Sequence, residues 1–220
     1  YLREKIFTES LLDSVFSNLD VITDEERRGY IAFFLERMFS LHREKNGRHY
    51  FAQSEQIFAR WISTATSKNA YAYSQLLNVL NNEGKETLKM FVSQINITSL
   101  LQNFSDSSIE DIYVWSVLLE RLAYAYEKEE RIEFGELLRE PLVNKNQLVT
   151  VKNVAKFYYS MSEIFYLNPD LILDLLTSNV SKFQTLCSSN PEEAVDVLDF
   201  NFIDYVCGIS HFSPSKPTKQ

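Results

Sequence analysis

Three histidines, His42, His49 and His211, are the only imidazoles in the 220 residues. His42 and His49 sit seven apart across an expected helix end and its loop. No tight His/Cys cluster supplies the further ligands that a zinc ion needs, so they read as surface side chains. GxSxG, HExxH and GxxxxGK[ST] are all absent. The chain therefore carries no motif for a strained-turn nucleophile, a helical zinc pair or a phosphate-cradling loop. The acid pairs Glu129-Glu130 and Glu192-Glu193 could in principle share a proton. Glu192 and Glu193 follow Asn190-Pro191 in an expected first turn, where carboxylates favour the helix dipole, so they read as structural signals. Cys187 and Cys207 lack CxxC spacing and read as two buried thiols. On these residues the expectation is a protein that is not an enzyme, with no catalytic, cofactor or metal site.

Composition narrows the class. Hydrophobic residues make up 45% of the chain and charged residues 24%, ordinary for a globular protein. Sixteen Phe, twelve Tyr and two Trp are more than a disordered chain carries. Five Gly and five Pro are too few for the tight turns of a β-sandwich. The net charge of −8 argues against nucleic acid as the main partner, because that partner is a polyanion. No apolar run approaches the ~18 residues of a membrane span. The start at Tyr1 reads as a fragment or a processed chain. The opening residues hold no apolar signal-peptide core, so an intracellular place, cytoplasmic or nuclear, is expected. Without a secretory signal, the sequons at Asn96, Asn103 and Asn179 say little.

Helix signals must position whatever site exists. Thr23 with Glu26 has the spacing of a capping box. Long helices are expected near 24–44, 69–82, 108–127, 147–167 and 191–207. Shorter ones fit 51–65, 85–95, 98–104, 133–139, 170–177 and 179–187. The β-branched residues Val149, Thr150, Val151 and Val154 weaken the start of the 147–167 helix, yet the apolar spacing from Val151 to Phe165 is helical. No strand is expected.

An internal repeat ties these helices together. Leu35-Glu36-Arg37-Met38 and Leu119-Glu120-Arg121-Leu122 stand 84 apart, twice 42. The same step aligns Leu35, Leu77, Leu119, Met161 and Ile203 in one column, and Met38, Leu80, Leu122, Ile164 and Val206 in another. A third column runs Ile31, Tyr73, Trp115, Phe157 and Asp199, polar only at its end. A period of 42 lies within the ~40–47 band of two- and three-helix repeats. One such unit cannot bury its apolar faces alone, so neighbours stack.

Over about residues 2–208 the chain thus resembles the armadillo/HEAT class of α-solenoids, by period and helix pattern. The Trp-x-x-x-Asn of the nuclear-import armadillo proteins is missing, since Trp115 is followed by Leu119 and Trp61 by Ala65. The fold implied is all-α: a right-handed α-solenoid of about five repeats over residues 1–209, with 210–220 as a flexible tail. Ser213-Pro214-Ser215-Lys216 in that tail resembles a proline-directed kinase site. The function implied is a non-enzymatic interaction or scaffold module that docks a protein partner along its long helices. The surface positions beside the core columns are Phe33, Glu36, Gln75, Asn78, Asn82, Glu120, Tyr124, Tyr159, Glu163 and Tyr166. Their acids suit a basic peptide or helix. A structural spacer, a self-association domain, or a chaperone- or GTPase-regulating domain are the alternatives the resemblance leaves open.

Overall fold

The computed structural model describes residue 59 and residues 62–197. Ten α-helices lie among them, and no strand occurs among the described residues. Helix α1 spans Ala70–Glu83, α2 Lys85–Val92 and α3 Ile97–Asp106. A 3-10 turn, Ile109–Asp111, leads into α4, Ile112–Ala123. Helix α5 is Lys128–Leu137, α6 Arg139–Gln147 and α7 Val154–Glu163. After a 3-10 turn at Phe165–Leu167 come α8, Pro169–Ser178, α9, Val180–Ser189, and α10, Pro191–Val197. No helix among the described residues is long and apolar enough to cross a membrane.

The starts of these helices recur. Helices α1, α4 and α7 begin at 70, 112 and 154, each 42 after the last. Helices α3 and α6 begin at 97 and 139, again 42 apart, and α9 follows at 180. The connecting chemistry recurs as well. Asn69, Asp111 and Asn153 each donate their backbone N–H to the carbonyl three residues earlier, on Thr66, Ser108 and Thr150. Ser74 Oγ donates to the Tyr71 carbonyl, and 42 residues on Ser116 Oγ donates to that of Tyr113.

Packing follows the same order. Helix α4 packs against both α1 and α7, and α10 packs against α7. Helix α3 packs against α6, which also meets α5 and α8. The described members of the three columns, Leu77, Leu119, Met161, Leu80, Leu122, Ile164, Tyr73, Trp115 and Phe157, are all buried in one continuous core. Leu35, Met38, Ile31, Asp199, Ile203 and Val206 lie outside the described residues. Trp115 keeps its indole N–H satisfied by donating to Ser67 Oγ at 3.2 Å, as a buried Trp requires.

Polar groups placed 42 residues apart tie helices to their neighbours. Asn103 on α3 donates its amide N–H to the Ala65 carbonyl at 3.2 Å. Lys145, 42 residues later on α6, reaches the carbonyls of Ser105 and Ser107 at the end of α3. Lys145 is buried with its ammonium 5.5 Å from the centre of the Phe104 ring. A buried cation on the last carbonyls of a helix meets acceptors that have no partner within that helix.

Several boundaries differ from the sequence expectation. The helix expected over 147–167 starts only at Val154. Asn153 Oδ1 accepts the Thr150 N–H at 2.7 Å, so the β-branched stretch closes into a turn. The helix expected to stop before Pro141 instead divides into α5 and α6, with Pro141 in the first turn of α6, where its missing N–H costs no helical bond. The helix expected over 108–127 is shorter. Ser108 Oγ accepts the Glu110 N–H and begins the 3-10 turn. Glu127 and Glu130 then form a capping box that starts α5 anew. Gly84 separates α1 from α2 at φ 133°, a conformation that side-chain-bearing residues rarely adopt. Cys187 is half-buried rather than fully enclosed, and Cys207 lies outside the described residues.

Candidate docking surface

Helices α4 and α7 bring four of the residues singled out from the sequence into one cluster. Glu120 is on α4, with Tyr124 just beyond its last turn. Glu163 ends α7, and Tyr166 lies in the 3-10 turn after it. The Tyr124 hydroxyl donates to Glu120 Oε1 at 2.5 Å and accepts from Arg121 Nη1 at 3.2 Å. Arg121 Nε stands 3.8 Å from Glu120 Oε2. The Tyr166 hydroxyl donates to the Glu120 backbone carbonyl at 3.2 Å. Its ring stacks on that of Tyr124, with centroids 6.4 Å apart and planes 17° from parallel.

Two guanidinium groups flank this pair of rings. Arg121 lies 5.3 Å from the Tyr124 centroid and Arg131 5.5 Å from that of Tyr166, within range of cation–π attraction. Arg131 Nη2 also donates to the Tyr126 carbonyl at 3.2 Å. Burial holds the Glu163 carboxyl above the ordinary range, and the negative charge of Glu120 raises it further, while Arg121 opposes both.

Tyr159 occupies a second aromatic contact between the same two helices. Its ring lies 5.2 Å from that of Tyr113, at 43°. Burial, then the neighbouring Tyr159 and Glu163, push the Tyr113 hydroxyl well above its usual range. Tyr113 stands 42 residues after Tyr71, so the repeat spacing contained a signal for it. Arg121 and Arg131 were missed because nothing in the local pattern says that their side chains turn back over tyrosine rings.

The remaining sequence candidates divide by position. Gln75 and Asn78 are half-buried and Asn82 exposed, all on α1. Phe33 and Glu36 lie outside the described residues. Glu120 corrects the expectation of a solvent-facing acid: it is buried, because Tyr124, Arg121 and Tyr166 close over it. The surface is therefore one of tyrosine rims and balanced charges rather than an open acidic stripe.

A scan against protein-family models matched none, and searches of curated proteins and of solved structures returned no match.

Proposed function

We propose that this chain is a non-enzymatic docking module, built as a right-handed α-solenoid of about five armadillo/HEAT-like repeats. The helix starts at 70, 112 and 154 support the repeat. So do the equivalent inter-unit bonds of Asn103 and Lys145. Such an arrangement presents successive long helices as neighbours on one surface.

The observation that carries the docking role is the tyrosine and arginine cluster spanning α4 and α7. Tyr and Arg are the residues most often found as anchors at protein interfaces, because each offers a large contact area with a polar end. Tyr113, Tyr159, Tyr124 and Tyr166 are each half-buried, held by neighbours yet reachable. Gln75 and Asn78 on α1 extend the surface with amide donors and acceptors, suited to the backbone of an extended protein segment. Glu120 is already engaged by Tyr124 and Arg121, so attraction of a basic segment falls to Glu163 and to acids elsewhere.

The test compares wild type with Tyr159→Ala and Asn78→Arg. Partners captured from extract by the wild-type chain should be lost by both variants, whose circular dichroism should match wild type and which should stay folded at the assay temperature. Hydrogen exchange of the purified complex should show new protection on α4 and α7. Partners retained by both variants, or protection confined to other helices, would overturn this assignment.

A further inference from the structure

Helices α5, α6 and α8 carry a second surface with a different chemistry. Glu133, Glu136, Leu137 and Glu140 follow the i, i+3, i+4, i+7 spacing of one helical face, and the α5–α6 junction at Leu138 keeps helical dihedrals, φ −76° and ψ −14°. Asp170, Leu173 and Asp174 repeat the pattern on α8, with a leucine again set among acids. The two rows are neighbours. Asn168 Nδ2 donates to Glu136 Oε1 at 2.8 Å, Arg139 feels the charge of Asp174, and α6 packs on α8.

Leu137 is 57% exposed, Leu173 40% and Val143, on α6, 39%. Exposed leucines scattered singly need no explanation. Here they recur in register on two adjoining elements, each flanked by carboxylates. Glu136 is paired with Arg139 at 2.9 Å. Among the described residues, Glu133, Glu140, Asp170 and Asp174 have no cation within ion-pair distance.

From this complementarity we infer that the α5–α6–α8 surface docks a basic amphipathic helix of another protein. Apolar side chains of that helix would cover Leu137, Val143 and Leu173, while its lysines or arginines meet the four unpaired carboxylates. The burial of apolar area supplies the affinity, and the acids supply orientation and on-rate. This surface shares none of its leucines or carboxylates with the tyrosine cluster, although Arg131 of that cluster also lies on α5, and the leucine variants test it independently.

The probe is a fluorescent synthetic helix with leucine at i, i+3, i+4 and i+7 and lysine elsewhere, read by anisotropy. A scrambled peptide of the same composition serves as control. Wild type should bind the helix about tenfold tighter than the scramble, and high salt should weaken both. Leu137→Ser with Leu173→Ser should abolish the difference. Glu133→Lys with Asp170→Lys should weaken binding more than the same charge change at Glu192 and Glu193. Equal affinity for helix and scramble would reduce the surface to a nonspecific acidic patch and overturn the inference. So would binding unchanged by the leucine variants. A wild-type dimer that Leu137→Ser with Leu173→Ser dissociates would assign the face to a second copy of this chain, also overturning it.

Discussion

Glu163 shows how a surface position by spacing becomes a partly interior one by packing. Its carboxyl is raised by burial first and by Glu120 second. A carboxyl whose folded value is raised binds its proton more tightly in the folded than in the unfolded chain. Its contribution to stability is full below the ordinary glutamate value, ~4.3, and is lost as pH rises through the raised value. Glu163→Gln should therefore melt at a higher temperature than wild type at neutral pH. The gain should vanish as pH falls below the ordinary glutamate range, which thermal melts across pH would reveal. A gain that persisted at low pH would mean that Glu163 acts through shape rather than charge. Lys145 is the opposite case, a buried cation that the fold uses. Lys145→Met keeps much of the stem and removes the donors to Ser105 and Ser107. It should cost about 1–3 kcal/mol, the range for leaving buried polar groups unmatched, measurable by urea denaturation.

Among the elements, α5 depends on a glycine for its approach to the next turn. A Cβ at Gly135 would collide with the Leu167 carbonyl oxygen, which is backbone and cannot swing aside. Gly135→Ala should therefore destabilise by about 1–3 kcal/mol, as overpacking does, although alanine is the better helix former. A chemical denaturation midpoint at or above wild type would show that α5 can shift away from the 3-10 turn at Phe165–Leu167 without loss. The start of α5 is local by comparison: its capping box needs only Glu127 and Glu130. Lys85 and Lys89 of α2 add ion pairs to those same two carboxylates, at 2.8 and 3.1 Å. Lys85 holds Glu127 below the usual carboxylate range, and the Glu127 backbone N–H first, then Lys89, hold Glu130 there.

For the whole molecule, the proposed stacking of units implies shared loss. Leu119 is fully buried on α4, which packs against α1 and α7. Leu119→Ala should cost about 2–5 kcal/mol, covering the lost transfer energy and the cavity. In a stack where each unit stabilises its neighbours, hydrogen-exchange protection should fall in α1 and α7 as well as in α4. Loss confined to α4 would mean that the units are energetically independent and that the repeat is only a pattern of sequence.

Legible in the chain alone are the all-helical class, the helix at 70–83 to within one residue, and the buried columns through Leu77, Leu119 and Met161. These depend on apolar periodicity and end signals, which act within one or two turns and are written in consecutive residues. The sequence misplaced the boundaries near Ser108, Pro141 and Thr150. At Ser108 and Thr150 a side chain competes for a backbone group, and Pro141 fits either just after a helix or in the first turn of one, so either outcome satisfies the local pattern. The character of the candidate surface comes from contacts between helices. The spacing that put Glu120 beside the core column is correct, yet Tyr166 and the side chain of Arg121 close over it. Those contacts join residues up to 46 apart and depend on how α7 sits against α4. Burial and charge at such a site follow from distances in space, which a one-dimensional period does not contain.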